Sequence, residues 1–255
     1  MKGLRLGRLT WPEAEQALQQ FQVVLLPVGA GAKEHGHHLP LNTDWLLAEY
    51  LTNRVIEQFS ALVLPTLSYG YYPAFTEYPG STHVARETFT ATVVDIIRSV
   101  HRHGANRVYV LNTGISTNWG LEPARQSLHA DRIVMEYTDL RIQIDQVAAS
   151  VRQQPAGSHA DEIETSMMLY IHPEVVHMER ARRDISSTEQ NGPLTRDANS
   201  VRGVYSPTGA WGDPTLATAE KGRVIVDALV THLVEFLERF ASDEYEADPP
   251  REEYL

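Results

Sequence analysis

Residues 29–44 read GAGAKEHGHHLPLNTD and place three histidines (His35, His37, His38) and two carboxylates (Glu34, Asp44) within eleven positions. Near neutral pH imidazole is neutral and carboxylate is ionised, so a loop offering both suits a divalent cation. Glu34, His35 and Asp44 are the first candidate ligands, and the two oxygens of Asp44 could bridge two ions. The competing explanation is an ordinary polar loop, because histidine clusters also meet solvent or backbone. His37 and His38 stay open between supporting a ligand, exposure and a substrate contact, the role carried forward for His38. A second cluster, GSHADEIETSMML, spans residues 157–169. In it His159 and Glu162 stand three apart on one helical face, whereas Glu164 joins His159 only if the histidine precedes the helix. Acidic residues in a first turn also complement the helix dipole without any chemistry. Ile163, Met167 and Leu169 read as core.

These clusters need elements to position them. Thr10-Trp-Pro-Glu13 has the form of a capping box, which predicts a helix to about Gln20. The apolar run from Val23 to Val28 reads as a buried strand that delivers the histidine-rich loop. Leu46, Leu47, Tyr50, Leu51, Val55 and Phe59 recur at helical spacing, with Thr43 as cap and Asp44 in the first turn. A strand at 61–64 leads into a long aromatic loop, SYGYYPAFTEYPGSTHV, of the kind that usually carries function. Phe89, Val93, Ile96, Ile97 and Val100 mark a helix stopped by Gly104, and a strand at 107–111 delivers the polar loop NTGISTN. A strand pair is read between Arg132 and Ile144, a helix from about Ser158 to Ile171, and a long amphipathic helix within 214–240. The alternation predicts one α/β domain over residues 1–241, a three-layer α/β/α sandwich with a mainly parallel sheet. Residues 242–255, SDEYEADPPREEYL, read as an acidic, flexible, solvated tail. Ligands bind such sheets beyond the carboxyl ends of the strands, where the 29–44 and NTGISTN loops can meet.

Composition narrows the partners. The 255 residues carry 22 basic and 33 acidic side chains, a net charge of −11, which repels a phosphate backbone and argues against nucleic acid. With no cysteine, any metal must sit on nitrogen and oxygen, which favours zinc, manganese or iron. The N-terminus is too polar for a secretory signal and no run is long enough for a bilayer, so a cytoplasmic protein without membrane contact is expected.

Taken together these motifs resemble the creatininase (creatinine amidohydrolase) family. LPVGAGAKEHGHHLPLNTD is similar to its opening strand and Glu-x-His-Gly-Pro-His loop, and YPGSTHVARETF to its Phe-Pro-Gly-Thr segment. RHGANRVYVLNTG resembles the strand before its Asn-Gly-His-Gly-Gly-Asn motif, SHADEIETSMML its His-Ala-Gly-x-x-Glu-Thr-Ser segment, and TGAWGDPTLATAEKG its Gly-Asp-Pro signature. The resemblance implies a three-layer α/β fold, homo-oligomers that are often hexamers, and hydrolysis of amide-type C–N bonds in small molecules at a centre of one or two metal ions. It also implies His35 and Asp44 as ligands, His159 near the substrate, and Glu164 as the glutamate of Glu-Thr-Ser.

The chain departs from that pattern at three places. Lys33 stands where the family has its first glutamate, so either a bulge re-aims Glu34 or the fixed charge of Lys33 replaces one ion. NTGISTN lacks the family's histidine, and Phe75 stands where many members have another. A single ion on Glu34, His35, Asp44 and Glu164 is therefore expected. Such an ion lowers the pKa of its water from near 16 to about 7 and polarises a carbonyl. His159 would then protonate the leaving nitrogen, Glu162 or Glu164 take the water's proton, and Ser116 and Thr117 bond the substrate oxyanion. The alternative is a metal- or ligand-binding protein that keeps the fold and has lost turnover.

Overall fold

The computed structural model describes residues 2–185 and 192–255. The chain begins with β1 (Leu4–Arg5) and α1 (Trp11–Gln20), where Glu13 Oε2 accepts the Thr10 N–H at 2.7 Å in the expected capping box. β2 (Val24–Val28) leads through the histidine-rich loop to α2 (Thr43–Gln58), and β3 (Leu62–Val63) through the aromatic loop to α3 (Arg86–His101). β4 (Arg107–Asn112), α4 (Asn118–Ala130), β5 (Val134–Tyr137) and α5 (Leu140–Ala148) follow. α6 (Glu162–Ile171), the short parallel pair β6 (Leu194–Thr195) and β7 (Val204–Tyr205), and α7 (Ala219–Phe240) complete the order.

The main sheet runs β1-β3-β2-β4-β5, all parallel. Its central strands β2, β3 and β4 are buried on both faces, whereas the edge strand β1 leaves Leu4 exposed, and alternate residues serve opposite layers. Leu25, Tyr109 and Leu111 join the core under α2, α5, α6 and α7, while Leu26, Val108 and Val110 join the core under α1, α3 and α4. The result is the three-layer α/β/α sandwich. β2 connects onward to β3 on one side and β4 to β5 on the other, so the crevice between their loops is the switch point at which such sheets bind ligands.

Four local expectations are corrected. The region from Arg132 to Ile144 holds one strand and the start of α5, where the Asp139 carboxylate caps the first turn by accepting the Ile142 N–H, rather than a strand pair. α4 was not assigned from the sequence; it runs through Pro123, and Leu121, Ala124 and Leu128 pack at helical spacing. Thr43 is the first residue of α2 and Asn42 its cap. α6 begins four residues later than expected, because Asp161 caps it by accepting the Ile163 and Glu164 N–H groups at 2.9 Å.

The tail is solvated only in part. Tyr254 is buried and donates to Asp139 Oδ2 at 2.6 Å, and the Arg251 guanidinium lies 4.3 Å from the Tyr137 ring centroid. An aromatic ring and an arginine supplied the contacts that the acidic composition hid. No helix among the described residues is long and apolar enough to cross a membrane.

Candidate active site

The two clusters meet at the carboxyl edge of the sheet. Asp44 sits in the first turn of α2, held against the end of β4 by Thr113 Oγ1, which donates to its carbonyl at 2.8 Å. This approach needs Gly29, since a Cβ there would collide with the Asp44 carbonyl. Along residues 33–35 the side chains alternate. Lys33 and His35 both reach Asp44, at 2.7 Å (Nζ to Oδ2) and 2.9 Å (Nε2 to Oδ1), whereas Glu34 faces the other way. Glu34 Oε2 lies 3.0 Å from His159 Nε2, and its other oxygen accepts the Gly36 N–H. No bulge turns Glu34 towards Asp44.

His159 precedes α6, as sharing a site with Glu164 requires. It is pinned by backbone bonds to Trp211, including Trp211 N–H to the His159 carbonyl at 2.8 Å. Glu164 accepts the Ala160 N–H at 2.6 Å, and its Oε1 is 3.6 Å from His35 Nε2. One donor atom from each of His35, His159 and Glu164 lies within 4.8 Å of the others. His159 and Glu164, with Lys33, border a cavity of about 790 Å³, a size suited to a small molecule, and His35 is buried behind them. Phe75 packs against His159 with ring centroids 4.2 Å apart and planes tilted by 42°, and Ile115, Ser116, Arg141, Arg152 and Trp211 also line the cavity.

The donor set fits one divalent ion. His35 Nδ1 lies 2.8 Å from the Lys33 carbonyl, which can only accept, so Nδ1 carries a proton and Nε2 is the ring atom directed at Asp44 and Glu164. Two carboxylates around that nitrogen call for a positive charge between them, which a proton on Nε2 supplies or, in its place, a divalent ion. Bonds of about 2.0–2.2 Å set neighbouring ligand atoms roughly 3–3.5 Å apart, close to the separations found here. Three carboxylates (Glu34, Asp44, Glu164) face one ammonium (Lys33), an excess of two negative charges when both imidazoles are neutral. The imidazole feels that excess: burial and Lys33 push the pKa of His35 down, but Asp44 and Glu164 outweigh them and lift it to about 9. Burial raises Glu164, yet His35 and His159 hold it well below the usual carboxylate range.

Three of the residues singled out in the sequence stand apart from this group. Glu162 is fully buried, paired with Lys221 Nζ at 2.5 Å and accepting the Gln153 and Gln154 N–H groups, so it ties α6 to α7. Thr117 Oγ1 donates within its own loop, to Asn112 Oδ1 and the Gly114 carbonyl at 2.7 Å, while Ser116 alone of that pair lines the cavity. His38 is buried against Thr165 Oγ1 at 2.8 Å and joins the loop to α6.

The pH behaviour of His38 is testable. Burial depresses its pKa from 6.5 to about 4, outweighing a lift from Glu164. The unfolded chain therefore takes up this proton first, and stability present above about pH 6.5 is lost as the pH falls towards 4. Urea unfolding between pH 7.5 and 4.5 should show the wild type losing about 2–3 kcal/mol more than His38→Gln, since each pKa unit is worth about 1.4 kcal/mol. Parallel curves would remove His38 as the cause.

The creatinine amidohydrolase (Creatininase) family model matches residues 7–237, nearly the whole chain. The creatinine amidohydrolase of Pseudomonas putida is 32% identical over 255 aligned positions, covering 90% of this chain and 94% of that protein. The chain belongs to the creatininase family. The mycofactocin precursor peptide peptidase of Mycolicibacterium smegmatis is 29% identical, covering 87% of this chain and 86% of its own. Among solved structures, a manganese creatininase superposes with a TM-score of 0.74 and a variant creatininase of Zn–Zn type with 0.75. Both are 29% identical, covering 94% of this chain and 99% of theirs.

Within this creatininase-family site, sequence reasoning missed Trp211, Arg141 and Arg152. Trp211 had a signal in the TGAWGDP segment. Arg141 had none, because the expected strand pair covered the start of α5, and Arg152 follows α5 in a segment without a recognisable motif. Gly209 was also overlooked: its φ of +86° and the Glu34 carboxylate packed against it leave no room for a Cβ.

Proposed function

We propose that the chain hydrolyses a C–N bond of a small cyclic amide, formamide or related amide, as a homo-oligomer with one zinc or manganese ion per subunit. His35, Asp44 and Glu164 would hold the ion, which would supply Lewis acidity and a lowered water pKa there. The observation that carries this reading is His35 Nε2 directed at the carboxylates of Asp44 and Glu164 beside the cavity.

The chain's own groups divide the remaining work. Glu164 is ionised and its carboxylate takes the proton of the attacking water. Glu34 engages His159 Nε2, which leaves Nδ1 facing Glu164, 3.8 Å away, as the atom that hands a proton to the leaving nitrogen. Ser116 and the backbone beside Ile115 offer hydrogen bonds to the substrate oxygen. Phe75 and Trp211 keep the reacting end dry.

One observation favours a second reading, a binding protein without turnover: the Lys33 ammonium pairs with Asp44, the carboxylate best placed to bridge ions. Metal analysis of the purified chain, with hydrolysis of creatinine, lactams, formamides and short peptides, separates the two. The hydrolase reading requires bound metal and turnover of at least one of them. Bound metal with no turnover favours the binding protein, and no metal removes the proposed centre.

A further inference from the structure

We propose that the Lys33 ammonium is a built-in cation that takes the place of a second metal ion, so that this chain binds one divalent ion and not two. The inference rests on the metal-hydrolase reading above and concerns the part of the site that this reading leaves unexplained.

Lys33 is only 6% exposed, and a buried ammonium persists only when paired. Its partner is the same carboxylate that faces His35. Asp44 has divided its oxygens, Oδ1 to the imidazole at 2.9 Å and Oδ2 to the ammonium at 2.7 Å. A carboxylate that bridges two ions spends one oxygen on each, and here one oxygen is already committed to nitrogen. The backbone enforces the division, because Lys33 and His35 are two apart and their side chains leave an extended chain on one side. The Phe75 ring, with its centroid 4.9 Å from Nζ, and the Tyr72 ring, at 5.9 Å, wall the ammonium on its other flank and favour a cation there.

Charge gives the same result. With Lys33 present, one divalent ion neutralises the three carboxylates, whereas two ions would leave a buried excess of two positive charges. Without Lys33 a single ion would leave the cluster negative, and the affinity for divalent cations would rise.

Titration of the full chain with Mn²⁺ by calorimetry, supported by elemental analysis after dialysis, reads this directly. Wild type is expected to saturate at one ion per chain. Lys33→Glu, which exchanges the cation for a ligand, is expected to saturate at two. Lys33→Met removes only the charge and is expected to keep one ion and bind it at least tenfold more tightly, with circular dichroism and melting temperature reporting the fold of each variant. Two ions in the wild type would overturn the role of Lys33 and leave the hydrolase reading intact. Folded Lys33→Met with unchanged or weaker affinity would overturn it equally. No ion in wild type or either variant would remove both.

Discussion

Replacing His159 with asparagine is expected to lower kcat by about 10²–10⁴, the usual worth of a positioned proton donor, with KM and metal content little changed. Asparagine keeps polar atoms near those of imidazole but cannot pass a proton. The loss should fall on kcat, because protonation of the leaving nitrogen is needed only in the transition state. Glu34→Gln tests the pairing behind it. It keeps an oxygen near His159 Nε2, 3.0 Å away in the wild type, but gives up the negative charge that stabilises the protonated ring. A smaller loss than that of His159→Asn is expected. Steady-state kinetics on whichever amide is turned over decides the matter: His159→Asn within threefold of wild type would take His159 out of the reaction.

The largest stability effect is expected far from the cavity, at Arg125. Its side chain is 2% exposed and donates from Nε and Nη2 to the two oxygens of Glu136, each at 2.8 Å. It also donates from Nη1 to Glu122 at 3.3 Å, and Glu122 in turn accepts the Tyr137 hydroxyl at 2.9 Å. Arg125→Met leaves two buried carboxylates without their cation, a loss of about 3–5 kcal/mol. At roughly 2–4 °C per kcal/mol for a domain of this size, the melting temperature should fall by about 6–20 °C. Arg125 also donates to the Asp248 carbonyl, so the variant should release the C-terminal segment to protease before the body unfolds. Combining Arg125→Met with Glu122→Met and Glu136→Leu should recover much of the stability, because replacing a whole buried ion cluster costs far less than breaking it. A melting temperature within 2 °C of wild type for the single variant would show that the network contributes little.

The fold was legible where an element's environment is written locally. β2 and the interior of β4, Val108 to Leu111, are apolar because both faces of a central parallel strand are covered, and α2, α3 and α7 carry the helical period of one buried face. It was illegible where tertiary contacts override local cues. α4 continues through Pro123, and the apolar residues after Asp139, expected as strand, form the start of α5. The tail looked like solvent until Tyr254 found Asp139 across 115 positions.

The candidate site divides in the same manner. Sequence alone determined which chemical groups lie at the ends of β2 and before α6, histidines and carboxylates without thiols, and hence the kind of ion they can hold. It also showed Lys33 in an unexpected place. Tertiary structure alone decided which of those groups face one another: Lys33 and His35 turn to Asp44, Glu34 turns to His159, and Glu162, Thr117 and His38 turn into packing. The reason is geometric. Local spacing limits which neighbours share a side of the chain, but the partner on that side is set by the packing of other elements, as near as the first turn of α2 for Lys33 and His35 and 125 and 127 positions away for Glu34 and His38.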